Sequence, residues 1–302
     1  MVVNLPQSFP AVHLLKGESV ASQYLSSSAS RVFPSIKLAV LNLMPLKIET
    51  EADLLRIFAF VPFEVEISWL RLRTHTPKHT PKEHMDSYYT YVDEVKYESF
   101  DALVVTGAPV ELMPFEEVGY WRELEGIFAW AHTNIPSTLY ICWAAQAALY
   151  YHYGINKFAL AQKVFGVFPH QLINSEVPLF RGFDDVFYAP HSRHTSLDMD
   201  ELLTCSEIDL LSTSVEAGAY IMMSKDGRSL FVTGHSEYAP LTLDTEYRRD
   251  KAKGLPISIP QNYYRDDNPA NPPVVYWRAH ANLLFTNWLN YYVYQQIQKQ
   301  KK

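Results

Sequence analysis

The segment that decides the fold is Ser137-Thr-Leu-Tyr-Ile-Cys-Trp-Ala-Ala-Gln-Ala-Ala-Leu149. The run up to Cys142 is β-prone, whereas the alanine-rich half that follows has high helix propensity. The cysteine therefore lies in a tight turn between a strand and a helix. Such a turn exposes the sulfur, and the positive end of the helix dipole favours the thiolate form. The pattern predicts that Cys142 is a nucleophile.

The segments before this turn alternate between strand and helix patterns. Strands are predicted at 36–43, 65–69, 102–106 and 137–141, and helices at 49–60 and 120–133. This alternation predicts an α/β fold of three layers, with a mainly parallel sheet and helices on both faces. Sites in such sheets lie beyond the carboxyl ends of the strands. We therefore expect Cys142 and the loops at 42–45 and 107–109 to lie close together.

The C-terminal half is predicted to contain a β-hairpin and two helices. The apolar runs 220–224 and 229–233 flank an Asp-Gly pair, which is a strong hairpin signal. Helices are expected at 241–253 and 277–298. Residues 1–35 carry three prolines and a serine-rich patch at 26–30, so we expect an irregular arm packed on the main body. Residues 36–302 are predicted to form a single domain.

Composition and charge narrow the classes of function. The chain has 302 residues, a net charge of −7 and two cysteines. The acidic balance argues against nucleic acid and anionic membranes as partners, and two cysteines are too few for a disulfide framework. No signal peptide and no membrane-spanning run are recognised, so a cytoplasmic protein is predicted. His75, His79 and His84 are interpreted as solvated loop histidines, and no metal site is predicted.

A second motif, Gly-His-Ser-Glu at 234–237, follows the apolar strand of the predicted hairpin. Histidine is the usual general base, and a carboxylate on its far nitrogen fixes its tautomer and orientation. Side chains two residues apart at a strand end point in the same direction. The sequence therefore predicts a catalytic triad of Cys142, His235 and Glu237.

The order of these motifs resembles the class I glutamine amidotransferase-like fold, a flavodoxin-like architecture, and within it the homoserine O-acyltransferases of methionine biosynthesis. The shared runs are Leu-Asn-Leu-Met-Pro at 41–45, Thr-Gly-Ala-Pro at 106–109, Ile-Cys-Trp-Ala-Ala-Gln-Ala at 141–147, Gly-Phe-Asp-Asp at 182–185, Pro-His-Ser-Arg at 190–193, and a 13-residue run at 282–294. The resemblance extends over nearly the whole chain from about residue 36.

The resemblance implies roles for further residues. Lys163, Ser192 and Arg249 match the positions that line the substrate side in this family. The planar fork of an arginine suits the α-carboxylate of an amino-acid acceptor. Glu111 matches the position that discriminates between acyl donors. Family members with glutamate there resemble acetyl transferases, because the side chain fills the acyl pocket and repels a succinyl carboxylate.

The implied reaction is a ping-pong transfer through an acetyl-cysteine, with acetyl-CoA as co-substrate and no other cofactor. The backbone N–H of Trp143, with an amide from Gly107 or Ala108, is expected to bind the oxyanion. L-homoserine is the expected acceptor, and L-serine is the alternative because one methylene is worth only about 1–3 kcal/mol in a pocket. Succinyl transfer, a glutaminase and a non-catalytic binding protein are weaker alternatives. The sequence leaves open whether the protein forms a homodimer.

Overall fold

The computed structural model describes residues 2–5, 8–15, 22–24 and 34–300. Within these ranges one mixed sheet contains twelve strands. The strands are β1 (Val2–Leu5), β2 (Ser22–Tyr24), β3 (Ser35–Leu41), β4 (Glu64–Arg71), β5 (Tyr89–Tyr91), β6 (Ala102–Val105), β7 (Ser137–Ile141), β8 (Lys157–Leu172), β9 (Val186–Leu197), β10 (Ile208–Ser214), β11 (Gly218–Ser224) and β12 (Ser229–Val232).

Helices connect these strands and cover the sheet. They are α1 (Lys47–Phe58), α2 (Lys82–Tyr88), α3 (Val92–Val95), α4 (Trp121–Asn134), α5 (Trp143–Tyr153), α6 (Met199–Thr204), α7 (Thr242–Ala252), α8 (Arg278–Asn287) and α9 (Gln295–Gln300). A π-helical stretch, Trp288–Tyr294, joins α8 to α9. Short 3₁₀ turns lie at Pro10–Leu15, Phe115–Glu117, Pro178–Phe180 and Arg265–Asp267.

The strand order is β2-β1-β4-β3-β6-β7-β12-β11-β10-β8-β9, with β5 beside β4. Strands β1 to β7 pair in parallel, and β12 joins them by pairing in parallel with β7. Val105 lies opposite Tyr140, and Val232 lies opposite Ile141. Strands β6, β7 and β12 therefore end at the same edge of the sheet, where their following loops meet.

The remaining strands are antiparallel. β8 pairs with β9 and β10, and β11 pairs with β10 and β12. The prediction of a mainly parallel sheet is confirmed, as is the hairpin formed by β11 and β12. No pattern in the sequence predicts β8 and β9, which together form the longest pairing in the described part of the chain.

Apolar side chains pack on both faces of the sheet, which confirms the three-layer prediction. On one face Phe58 of α1 meets Phe285 of α8 edge to face, with ring centroids 5.8 Å apart. On the other face Phe128 of α4 packs against Tyr140 of β7 in the same manner, at 5.5 Å. Each such fully buried ring stabilises the fold by about 1.5–3 kcal/mol relative to exposure. These layers hold β7 rigidly beneath Cys142.

The N-terminal segment differs from its prediction. The description as irregular is wrong for the described part, because β1 and β2 add two strands to the sheet beyond β4, and a 3₁₀ turn at Pro10–Leu15 lies between them in the chain. Phe9 is buried and stacks on Trp69 of β4. The serine-rich patch lies outside the described residues, and the division of the chain into an arm and one domain stays a prediction.

Candidate active site

Cys142 occupies a strained turn between β7 and α5. Its backbone has φ 53° and ψ −117°, in the left-handed half of conformational space that non-glycine residues rarely adopt. Such a conformation costs on the order of 1–3 kcal/mol and persists only where the surroundings enforce it. Here the Cys142 N–H donates to the carbonyl of Val232 at 2.7 Å, and the Cys142 carbonyl accepts from the N–H of Ala145 in the first turn of α5. The turn places the side chain at the carboxyl edge of the sheet.

His235 and Glu237 follow β12, the parallel neighbour of β7. The Nδ1 atom of His235 lies 2.7 Å from a carboxylate oxygen of Glu237, and both side chains are buried. The imidazole stacks on the ring of Tyr238 with centroids 4.1 Å apart. Burial alone would lower the pKa of His235, but the charges of Cys142 and Glu237 and hydrogen bonds to both raise it well above its ordinary value. An imidazolium at this position pairs with the Cys142 sulfur.

The loop that follows β6 approaches the cysteine closely. A Cβ atom on Gly107 would lie 3.3 Å from the Cβ of Cys142 and 3.6 Å from the Cε1 of His235. Gly107 thus leaves room above the sulfur that a larger residue would fill. The neighbouring loop after β3 is tied to it, because the Leu43 N–H donates to the Thr106 hydroxyl at 2.8 Å.

A cavity of about 350 Å³ opens above Cys142. Eight residues that the sequence analysis placed at the site line it, namely Gly107, Ala108, Glu111, Cys142, Lys163, Ser192, His235 and Arg249. Two others do not reach it with their side chains. Glu237 lies behind His235, and the indole of Trp143 is buried, so Trp143 can offer only its backbone N–H at the start of α5.

Glu111 lines the cavity. Its carboxylate accepts a hydrogen bond from the backbone N–H of His194 on β9, at 3.1 Å. Burial raises the pKa of Glu111, while the charges of His194, Lys163 and His235 and the His194 hydrogen bond oppose that shift. A carboxylate at this point narrows the cavity and adds negative potential to it.

A second carboxylate in the wall of the cavity is that of Glu246, which the sequence analysis missed. Its carboxylate accepts from the Ser192 hydroxyl, from Lys163 at 3.4 Å and from the Tyr238 hydroxyl at 3.1 Å. A signal was present in the predicted helix at 241–253, because residues three apart share a helix face and Glu246 stands three before Arg249. Both residues line the cavity from α7.

Arg249 also has a local partner. Its guanidinium makes two hydrogen bonds to the Asp250 carboxylate, at 2.7 and 3.0 Å. This fork orients the remaining N–H groups of Arg249, whose side chain is about half exposed at the cavity. The arrangement suits recognition of a second carboxylate.

Buried histidines support the catalytic strand from behind. The Nε2 atoms of His170 and His191 lie 3.0 Å apart, so one ring donates to the other. A Cβ atom on Gly234 would lie 2.8 Å from both the His191 ring and the Pro190 carbonyl. The Pro190 carbonyl also accepts from the His235 N–H at 2.8 Å. His191 lies on β9. Its close contact with Gly234 fixes the backbone that leads to His235.

Two of the three loop histidines are solvated as predicted. His75 and His79 are exposed. The interpretation is wrong for His84. This residue is buried on α2, and its Nε2 atom lies 2.8 Å from a carboxylate oxygen of Glu51. A charged partner and aromatic neighbours at Phe9 and Tyr88 explain its burial. Among the described residues, no group of three His, Cys, Asp or Glu side chains could hold a metal ion. None of the helices in that part of the chain has the length and apolar character of a membrane span.

The sheet order and the Cys–His–Glu cluster at the strand ends define a protein of the class I glutamine amidotransferase-like fold. A glutamine amidotransferase from Thermotoga maritima shares this fold, with a TM-score of 0.55 and 12% identity over 86% of this chain and 98% of that one. A glutamine amido transferase from Methylobacillus flagellatus has a TM-score of 0.52 and 12% identity, over 84% of this chain and 94% of its own. At such low identity the likeness concerns the fold alone.

The chain belongs to the homoserine O-succinyltransferase family, whose model matches residues 2–299. A homoserine O-acetyltransferase of Bacteroides thetaiotaomicron is 54% identical over 296 residues, which is 98% of this chain and 97% of the relative. The homoserine O-acetyltransferase of Clostridium novyi is 48% identical over 302 residues, the full length of both chains. The resemblance noted from the motifs is confirmed, and the protein is an enzyme of the O-acyltransferase type.

Proposed function

We propose that this enzyme transfers an acetyl group from acetyl-CoA to the side-chain hydroxyl of L-homoserine, giving O-acetyl-L-homoserine for methionine biosynthesis. One observation carries the proposal. The Cys142 sulfur, the His235 imidazole and the Glu111 carboxylate meet in one cavity whose wall also includes Arg249 and Glu246. A thioester donor and an amino-acid acceptor can thus reach the same sulfur in turn.

The first half-reaction forms an acetyl-cysteine. The thiolate of Cys142 attacks the carbonyl carbon of acetyl-CoA, and a tetrahedral intermediate forms. The bond to the CoA sulfur then breaks, and CoA leaves as a thiol after it receives the proton held by the imidazolium of His235. The raised pKa of His235 favours this arrangement, because the ring carries the proton before attack.

The oxyanion of each tetrahedral intermediate needs hydrogen-bond donors. The Trp143 N–H is at the first position of α5, where a helix has no internal acceptor for it and where the helix dipole is positive. The backbone at Gly107 and Ala108 borders the same space. We assign these groups to the oxyanion site, where each donor is worth about 10²–10³ in rate.

The second half-reaction transfers the acetyl group to the acceptor. His235 takes the proton of the homoserine hydroxyl, and the oxygen attacks the thioester carbon. The Cys142 thiolate leaves, which restores the starting enzyme. Glu237 holds the imidazole in one orientation during both proton transfers, through its 2.7 Å contact with Nδ1.

The acceptor's charged groups have matching partners in the wall of the cavity. The remaining N–H groups of Arg249 suit the α-carboxylate, and the carboxylate of Glu246 suits the α-ammonium group. Ser192 and Lys163 already bind Glu246 and fix its position. This pairing of opposite charges selects an amino acid over an amine or a simple alcohol.

Glu111 supports acetyl as the acyl group. A succinyl chain would bring a second carboxylate towards a buried glutamate, at a cost in both space and charge. Relatives named homoserine O-acetyltransferase, at 48–54% identity over 97–100% of their length, support the same acyl group and acceptor. L-serine as acceptor is not favoured by them. We also propose a cytoplasmic location, supported by free Cys142 and Cys205, which suit a reducing compartment.

The experiment is CoA release from acetyl-CoA by the purified enzyme, with L-homoserine and L-serine as acceptors. Homoserine is expected to give the faster turnover. Cys142→Ala should lower the rate by at least about 10³-fold, because no acyl-enzyme forms. Cys205→Ala is the control, since Cys205 lies away from the cavity and its loss should leave turnover unchanged.

Each contrary result overturns a separate part of the proposal. Faster turnover with serine would replace the acceptor. Turnover with succinyl-CoA but not acetyl-CoA would replace the acyl donor assigned from Glu111. Residual activity of the Cys142→Ala variant above a few per cent would exclude an acyl-cysteine, and an acetylated peptide containing Cys142 in the mass spectrum would support it.

A further inference from the structure

Residues 111–113, here called the acyl-site segment, separate two cavities. On one side is the catalytic cavity of about 350 Å³, and on the other is a second cavity of about 310 Å³. Glu111, Leu112 and Met113 line both. The segment therefore has open space behind it, into which it can move unless something holds it.

Its own packing holds it weakly. The side chain of Leu112 is 65% exposed and that of Met113 is 39% exposed, so neither anchors the segment in the core. Apolar side chains stabilise a loop only to the extent that they are removed from water. The side chain of Glu111 has one backbone partner, the His194 N–H at 3.1 Å.

Lys157 supplies the support from the second cavity. This first residue of β8 donates from Nζ to the backbone carbonyl of Glu111 and to that of Met113, the latter at 2.7 Å. The same ammonium group lies 4.6 Å from the centroid of the Phe115 ring. One cation thus contacts three residues of a five-residue stretch, and hydrogen bonds from a charged donor are about twice as strong as neutral ones.

Lys157 itself does not reach the catalytic cavity. It lines the second cavity, where Asn156 and Phe158 flank it, and is absent from the residues around Cys142. The start of β8, where Lys157 lies, is fixed in turn, because the Asn156 side chain donates to the carboxylate of Glu201 at 3.0 Å. The lysine therefore acts on the reaction through the acyl-site segment and not through the reacting atoms.

We propose that Lys157 is a positioning residue for acyl-donor selectivity, which holds the acyl-site segment against the second cavity so that the Glu111 carboxylate stays in the acyl pocket. This inference rests on the proposed function, since it deepens the role of Glu111 as the group that excludes donors with a second carboxylate. Without Lys157 the segment loses both of these hydrogen bonds, so Glu111 is no longer held at one position in the acyl pocket. Its carboxylate then no longer opposes a succinyl group at a fixed distance.

The test compares kcat/KM for acetyl-CoA, propionyl-CoA and succinyl-CoA in the wild-type enzyme and in Lys157→Met and Lys157→Arg. Lys157→Met keeps the length and apolar stem but removes the charge and the donors. We expect the ratio of acetyl to succinyl kcat/KM to fall by about tenfold or more in this variant. Lys157→Arg keeps a cationic donor for the two carbonyls and should restore most of the ratio.

Arg228→Met is the matched control. Arg228 is also a half-buried cation that holds a backbone carbonyl, donating to Ile135 at 2.8 Å, but it does so before β12, at the opposite end of the strand from His235. Its loss should lower the melting temperature without altering the acyl-donor ratio. Should Lys157→Met fail to fold, Lys157→Gln takes its place, because the amide retains one neutral donor.

A decrease in kcat/KM that is equal for all three donors would overturn the proposal and reduce Lys157 to a structural role. An unchanged ratio with unchanged activity would overturn it as well. If the wild-type enzyme transferred no acyl group from any of the three thioesters, the proposed function would fail first, and this inference with it. The two failures are thus distinguished by the wild-type measurement alone.

Discussion

The parallel half of the sheet (β1 to β7 with β12) and its antiparallel half (β8 to β11) contribute to the site in different ways. The parallel half supplies the reacting groups from strand ends, namely Cys142 after β7 and His235 after β12. The antiparallel half supplies groups that surround the substrate from within long strands, such as Lys163 on β8 and Ser192 on β9. The cavity lies where the halves meet.

The difference separates chemistry from recognition. Strand ends of a parallel sheet bring side chains from distant parts of the chain to one edge, and backbone strain there is held by layers on both faces. A long antiparallel hairpin instead offers side chains along its length, which can change without disturbing the strand ends. We expect substitutions at the junction of the halves to damage the chemistry, and those in the surrounding groups to alter selectivity or binding.

The largest expected effect is at that junction. In Gly234→Ala the new Cβ would meet the His191 ring and the Pro190 carbonyl at 2.8 Å, so β12 must shift away from β9 and carry His235 with it. A displacement of about 1 Å can cost 10²-fold in rate, and overpacking costs about 1–3 kcal/mol in stability. Measured kcat should therefore fall by about 100-fold, together with the melting temperature.

Gly126→Ala provides the control for this substitution. Gly126 lies on α4 with open space around its Cα, so the same added methyl group meets nothing within 4 Å. We expect unchanged activity and up to about 1 kcal/mol of added stability from the higher helix propensity of alanine. Activity of Gly234→Ala within threefold of the wild type would show that the halves do not fix His235.

A smaller effect is expected at Arg249, among the surrounding groups. Arg249→Lys retains the charge but loses the planar fork, so the KM for the amino-acid acceptor should rise by about 10- to 100-fold. The first half-reaction should be preserved, and rapid mixing should still show one CoA released per active site. Arg248→Lys is the control, because Arg248 is exposed and pairs with Asp244. Loss of the first CoA burst in Arg249→Lys would contradict the separation of chemistry from recognition.

The smallest effect concerns two imidazoles, the buried ring of His170 on β8 and the partly buried ring of His152 on α5. Burial lowers the pKa of His170 to about 3, and burial with the charge of His132 lowers that of His152 to about 4. Both histidines have an unfolded pKa of about 6.5. Because the folded values are depressed, the unfolded state binds more protons below pH 6.5. Their contribution to stability is present above pH 6.5 and is lost as the pH falls towards 3–4.

Urea unfolding of the wild type, His170→Asn and His152→Asn between pH 7.5 and 4.5 measures this dependence. In each variant the free energy of unfolding should depend less steeply on pH. The difference in slope is at most about 1.4 kcal/mol per pH unit for one proton. The activity at pH 7.5 should fall severalfold only in His170→Asn, because His170 supports His191 and through it Gly234. Equal slopes in all three proteins, or an equal loss of activity in both variants, would contradict the assignment.

Much of the parallel half could be predicted from local patterns. The strand that ends before Cys142 was predicted at its observed bounds, and the helices α1, α4 and α7 within two residues of theirs. Continuous apolar runs mark strands covered on both faces, and the alanine-rich run marks α5. The Gly-His-Ser-Glu motif was recognisable because it follows such a run directly. These signals are local, so a single sequence contains them.

The antiparallel half was missed because its signals are mixed. β8 contains Gly166 and Pro169 and alternates poorly, and its pairing with β9 is interrupted between Ala159 and Val164. Residues such as Lys163 and Ser192 were therefore found through the family resemblance and not through their own pattern. His84 was misread for a related reason, since its burial depends on Glu51, which lies 33 residues earlier.

The sequence by itself determined the α/β class, the nucleophile turn and the membership of an acyltransferase family. Periodicity, helix propensity and motif order are properties of neighbouring residues, and they survive without a structure. Tertiary structure decided which residues share the cavity, that Glu246 completes it, and that Lys157 holds the acyl-site segment from behind. These facts depend on contacts between residues 46 to 83 positions apart, and on the burial that such contacts create, which no local pattern encodes.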